Sequence, residues 1–170
     1  MRKLITLFMI LSVFALPSAA ETSGATWGAR AAAIDAELTV ADMLRYAIED
    51  EYLARAEYAA IQNKFGAQRP FSNIIKSEES HIGWLKDAYA KAALSLPKDE
   101  AAVFIVVPAT LRDAFQAGVN AEIENIAMYE SFIVSPLTNR SENASLKALF
   151  IRLRDASKNH LASFRNGLSR

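Results

Sequence analysis

Four stretches of this chain, each long enough for several helical turns, repeat apolar residues at spacings of three and four along one face. On the first, from about Val40 to Phe65, the stripe reads Leu44, Ile48, Glu51, Arg55, Tyr58, Ile61 and Phe65. The second, from about Asn73 to Leu94, carries Ile74, Ile75, Glu78, His81, Ile82, Leu85 and Tyr89. A third runs from Pro108 to about Val134. The fourth, from about Asn143 to Asn166, carries Leu146, Phe150, Leu153, Ser157, His160, Leu161 and Phe164. Helices with one apolar stripe bury it against one another, so the pattern predicts an all-α fold in which four helices pack as a bundle. The ends agree with this. Thr39 reads as an N-cap and Gly66 as a stop for the first helix, and Ser72 caps the second with Pro97 beyond its end. Pro108 suits a first helical turn, Pro136 follows the third helix, and Gly167 ends the fourth.

The connections constrain the topology. About seven residues join the first two helices and about eight the last two, which predicts two antiparallel pairs. The middle connection, about 13 residues including the β-branched run Val103 to Val107, could reach about 43 Å when extended. A helix of 22 residues is only about 33 Å long. The segment can therefore cross the whole bundle, giving one long crossover between helices two and three.

The N-terminus is read separately. Arg2 and Lys3 precede an apolar run from Leu4 to Leu16, which Pro17 breaks, and Ser18, Ala19 and Ala20 follow. The run is shorter than the roughly 20 residues that span a bilayer. Residues 1–20 therefore read as a signal peptide cleaved after Ala20, which implies a secreted or periplasmic protein and no membrane attachment after cleavage. Residues 21–38 read as a flexible lead-in with a helical turn near Ala31 to Asp35, and residues 39–168 as the bundle domain. Without Arg2 and Lys3 the chain holds two more acidic than basic side chains, which argues against nucleic acid as a partner. It has no cysteine, so disulfides, thiolate metal sites and a cysteine nucleophile are excluded.

The polar residues inside the stripes carry the functional signal. An isolated buried carboxylate is costly, yet Glu51 sits midway along the first helix. Glu78 and His81 form a Glu-x-x-His on the second, whose i, i+3 spacing puts both side chains on one face. His160 lies on the stripe of the fourth. The third helix offers Glu122 and Glu124, about 200° apart around the axis, so only one of them points inward. Glu122 shares a face with Phe115, Val119, Ile126 and Tyr129, and Glu124 with Ala114, Ala117, Ala121 and Met128. Carboxylates and imidazoles converging at one level repel or neutralise one another unless a cation lies among them. Oxygen and imidazole donors without thiolate suit iron, manganese or zinc. Glu49, Asp50, Glu57 and Glu130 read as solvated face, and Arg55 and Tyr58 as packing or as supports of a ligating carboxylate.

The run Glu51-Tyr-Leu-Ala54-Arg55-Ala-Glu-Tyr58 is similar to the first-helix motif of rubrerythrin-like and ferritin-like proteins, in which the Glu is a metal ligand. The segments from Phe71 to His81 and from Ser157 to Phe164 closely resemble a bacterial ferritin-like family defined only as a domain of unknown function. The resemblance covers about residues 40–168 and implies a ferritin-like four-helix bundle. It also favours Glu124 over Glu122 as the helix-three ligand, giving a metal set of Glu51, Glu78, His81, Glu124 and His160, with Glu78 shared if two ions bind. It implies iron above manganese or zinc, dioxygen or peroxide as reactants, and oxidoreductase chemistry or metal handling; a homo-dimer is compatible with it. Ser157-Lys-Asn-His160 departs from the Glu-x-x-His of ferritins and rubrerythrins, which argues against a symmetric bridged di-iron centre. The competing expectation is a structural or partner-binding bundle whose site has decayed, and a third is a metal buffer without turnover.

Overall fold

A computed structural model describes residues 27–169, and these residues are all-helical, with no strand among them. The signal-peptide reading and the first six residues of the lead-in fall on residues 1–26, outside the described part. The elements are α1 (Gly28–Ile34), α2 (Val40–Phe65), α3 (Phe71–Lys91), α4 (Leu111–Val134) and α5 (Ala144–Leu168). Single 3-10 turns lie at Ala101–Val103 and Ser141–Asn143.

The ends of α2 follow the sequence reading. The Thr39 hydroxyl accepts from the Asp42 N–H at 3.1 Å while the Asp42 carboxylate accepts from the Thr39 N–H, a reciprocal cap, and Gly66 stops the helix at φ 79°. The other ends differ, each for a local reason. α3 begins at Phe71, behind Pro70, so Ser72 lies inside the helix. It ends at Lys91 because Ala93 takes a left-handed φ of 53°. α4 starts at Leu111, because Thr110 and not Pro108 sets its start: the Thr110 hydroxyl accepts from the Asp113 N–H at 3.1 Å. α5 runs on through Gly167, which serves packing: a Cβ there would stand 2.5 Å from Phe115 Cε1. The β-branched run forms no strand, and Val103 and Val106 are exposed.

Direction follows from the cross-helix contacts. Short turns pair α2 with α3 and α4 with α5. The 92–110 connection leaves the far end of α3 and runs back along α2, pairing Asp99 with Arg55 and giving the Pro108 carbonyl to Lys64 Nζ at 2.6 Å. It thus crosses the length of the fold, so α3 and α4 run parallel and both oppose α2 and α5. The lead-in is not loose where it is described. Ala29, Ala31 and Ala32 of α1 are buried, and α1 packs on α2 and α4.

The apolar core is divided in two. One cluster gathers Leu44, Ile48, Leu85, Phe132, Phe150 and Leu153, and the other Tyr58, Ile61, Phe71, Ala114 and Phe164. Between them lies a layer of buried polar side chains: Glu51, Glu78, His81, Glu122, Ser157 and His160.

Candidate metal centre

Each long helix contributes to this layer through a residue that shares its buried face. Glu78 and His81, one turn apart on α3, converge on Glu51 of α2. His81 Nδ1 lies 3.0 Å from Glu51 Oε2 and 2.8 Å from Glu78 Oε2. The other Glu78 oxygen turns to α5, where His160 Nδ1 is 3.2 Å from Glu78 Oε1 and 3.5 Å from Glu122 Oε1. Two triads result, Glu51–Glu78–His81 and Glu78–Glu122–His160, and within each the potential ligand atoms lie within 4.8 Å of one another. Glu78 belongs to both. The two imidazoles stack at 5.6 Å between centroids.

Neighbouring groups hold these side chains in place. The Tyr129 hydroxyl donates to Glu51 Oε1 at 2.7 Å, and the Tyr58 hydroxyl to Glu122 Oε1 at 3.0 Å. Ser77 Oγ lies 3.1 Å from His81 Nε2, which leaves Nδ1 to face the carboxylates. His160 Nδ1 differs: it is buried, its two carboxylate neighbours are out of line, and it makes no hydrogen bond. A buried polar atom without a partner is costly and calls for an explanation. A cation between His160, Glu78 and Glu122 is one.

The electrostatics fit the same picture. Burial opposes charge on His81, but Glu51 and Glu78 outweigh it and hold its pKa up at about 9. Burial likewise opposes charge on His160, and the adjacent Glu122 and Glu78 carboxylates raise it to about 10. Burial and the nearby Glu78 charge push Glu51 up. Burial would raise Glu78 too, but the imidazoles of His160 and His81 pull it below the usual carboxylate range. Without a metal, protons on the imidazoles balance the carboxylates. A divalent ion would take their place. Three carboxylates and two imidazoles without thiolate suit a hard or borderline ion.

Four of the five residues expected from sequence, Glu51, Glu78, His81 and His160, come together. The fifth does not. Glu124 points outward, its side chain 43% exposed, and accepts from Arg30 Nε of α1 at 2.9 Å. Glu122 takes the inward place and is 3% exposed. The buried face of α4 runs through Ala114, Gly118, Glu122, Asn125, Tyr129 and Phe132, and its small residues disguised the stripe. Tyr129, one turn pair beyond Glu122, was the available signal for the right face.

The acids beside the stripe on α2 also depart from the solvated reading. Glu49 is buried and accepts from the Gly28 N–H at 3.2 Å. Asp50 Oδ1 accepts from the Ala29 N–H at 2.9 Å, and its Oδ2 accepts from Asn125 Nδ2. Burial pushes Asp50 up to about 7, against those two hydrogen bonds, and pushes Glu57 up to about 7. Asp50, Ala54, Glu57, Ala121 and Glu124 line a cleft of 530 Å³ between α2 and α4. Glu130 remains at the surface, paired with Lys158. Tyr58 supports a candidate ligand as expected, whereas Arg55 pairs with Glu79 and Asp99, outside the layer.

No helix among the described residues is long and apolar enough to cross a membrane. No protein-family model matches the chain, and neither a curated protein nor a solved structure is detectably similar to it.

Proposed function

We propose that this chain is an exported, ferritin-like metal-binding protein whose bundle core holds one or two transition-metal ions. The ligands in this reading are Glu51, Glu78, His81, Glu122 and His160, with Glu78 shared between two ions. The observation that carries it is the pair of buried Glu/His triads sharing Glu78, in the second of which His160 Nδ1 lies 3.2 Å from Glu78 Oε1 without forming a hydrogen bond. The helix directions support the ferritin-like part, since a long crossover between the second and third long helices is what that topology requires. Oxygen and nitrogen donors alone suit iron, manganese or zinc, and the ferritin-like resemblance puts iron first. Bound there, such an ion would supply Lewis acidity or, if redox-active, electron transfer with dioxygen or peroxide. The protein's own part is to hold the carboxylates by Tyr58 and Tyr129, to orient His81 through Ser77, and to keep the site dry between two apolar clusters. Oxidoreductase chemistry and metal handling are the two roles this arrangement suits.

The competing reading, a bundle with a decayed site, draws on Ser157 alone. Metal analysis separates the two. After reconstitution with iron, manganese or zinc, the wild-type chain should retain one or two ions, and a His81→Ala variant that is still helical by circular dichroism should lose most of its metal. Negligible metal in both would leave the decayed bundle standing.

A further inference from the structure

The cleft of 530 Å³ between α2 and α4 has walls of two kinds. One kind is apolar, and includes Trp27 at the start of α1 and the run Phe104 to Val106 of the long connection. The Trp27 and Phe104 rings pack with centroids 4.7 Å apart, which ties α1 to that connection. The other kind is charged, and its charges do not balance. Asp50, Glu57 and Glu124 share one cation, Arg30, which is committed to Glu124 at 2.9 Å. Asp50 is held by the Ala29 N–H and by Asn125, both neutral donors. The core carboxylates Glu51 and Glu122 add to the negative potential at Asp50. Glu57 makes no hydrogen bond or ion pair among the described residues. Burial works against its charge, Asp50 and Glu124 add to that, and Arg30 alone opposes them. Two carboxylates in the cleft therefore lack a cation.

A bare metal ion does not suit them. Among the described residues, the acid and histidine groups compact enough to share an ion are the two triads of the core, and Asp50, Glu57 and Glu124 form no such group. Asp50 and Glu57 lie seven residues apart on α2, so they share a face with about 10 Å between them along the axis. Leu53 and Ala54 fall between them, and both line the cleft. The helix thus presents an acid, an apolar floor and a second acid in line.

We infer that this cleft binds a linear aliphatic diamine or polyamine, with one ammonium at Asp50, another at Glu57, and the methylenes between them on Leu53 and Ala54. An extended saturated chain advances about 1.2 Å per bond, so terminal nitrogens about seven to nine bonds apart span the two acids. Charge-assisted hydrogen bonds satisfy the carboxylates, and the methylenes, like a lysine stem, keep to apolar surface. The Trp27 and Phe104 rings add faces that attract a cation. The site shares no residue with the two triads, so it stands or falls separately from the metal-binding reading.

Isothermal titration calorimetry on the metal-free full chain tests this, with spermidine and α,ω-diaminoheptane as probes. Heptylamine, α,ω-diaminopropane and magnesium at equal ionic strength are the controls. Each probe should bind saturably, one per chain, and at least about tenfold more tightly than any control. Glu57→Gln keeps the shape of the side chain and should weaken both probes at least about tenfold. Arg30→Gln should instead tighten them, because it frees Glu124. Thermal melts establish that the variants fold; if Glu57→Gln does not, the wild-type series and Arg30→Gln decide. The inference is overturned by absent or unsaturable heats, or by a control amine or magnesium that binds as tightly as the probes. Unchanged affinity in folded Glu57→Gln overturns it, and so does binding that fails to tighten in Arg30→Gln.

Discussion

At the residue scale, the contrast between Glu122 and Glu124 is the sharpest test of where the chemistry lies. The two acids sit two positions apart on α4, yet one faces two imidazole-bearing helices and the other a surface arginine. Glu122→Gln should remove a ligand and cut metal content by about one ion per two bound, whereas Glu124→Gln should leave metal content unchanged. Losing the Arg30 pair should cost only about 0–1 kcal/mol, since exposed ion pairs contribute little. Elemental analysis with chemical denaturation reads both; loss of metal in the Glu124 variant alone would reverse the assignment. Glu51, Glu78, His81 and His160 were legible in the sequence because each interrupts an otherwise apolar stripe. Glu122 was not. Its face on α4 includes Ala114 and Gly118, where α5 approaches so closely that a Cβ on Gly118 would stand 2.8 Å from the Phe164 ring. Tight packing there needs small side chains, and small side chains make a weak stripe.

At the element scale, sequence reading supplied a helical turn near Ala31 to Asp35 but neither the full extent of α1 nor its docking. A seven-residue, alanine-rich helix has no stripe to betray it, and its docking depends on backbone groups. Its first two N–H groups sit on the Glu49 and Asp50 carboxylates, which is why Glu49 is buried and Asp50 half-buried although their sequence positions suggest solvent. The close approach requires Gly28. At φ 58° any side chain is strained, and a Cβ would lie 2.6 Å from Asp50 Oδ1. Gly28→Ala should cost about 1–3 kcal/mol and release α1. Amide exchange across residues 28–35 should then rise while the four long helices stay protected. Gly66→Ala is the control: its φ of 79° is strained but the space is open, so it should cost about 1–3 kcal/mol without exposing α1. The helix pairing and the crossover were legible because connection lengths limit topology. The exact starts of α3 and α4 were not, because single capping residues decide them.

For the whole molecule, the polar layer makes stability depend on pH in a direction that metal reverses. His81 and His160 hold protons more tightly folded than an ordinary histidine does. Their contribution is complete below about pH 6.5 and is lost as pH rises through about 9 and about 10. Asp50 and Glu57, raised to about 7, act the same way between about pH 4 and 7. In a chelator, the melting temperature should therefore fall as pH is raised from about 6 to about 10. With saturating metal the stabilisation should grow over the same range, because the ligands must lose their protons to bind. Parallel thermal melts check this, and a flat profile in the chelator would count against the buried imidazole–carboxylate layer. The two triads also differ in how much of the chain must be in place to close them. Glu51, Glu78 and His81 all lie on the α2–α3 hairpin, so one half of the centre completes itself from neighbours in sequence. The other half needs Glu122 and His160 from α4 and α5, and waits on the long connection and the last helix. In the proposed metal-binding role, the local triad would close first on folding and the other only once the C-terminal pair has docked.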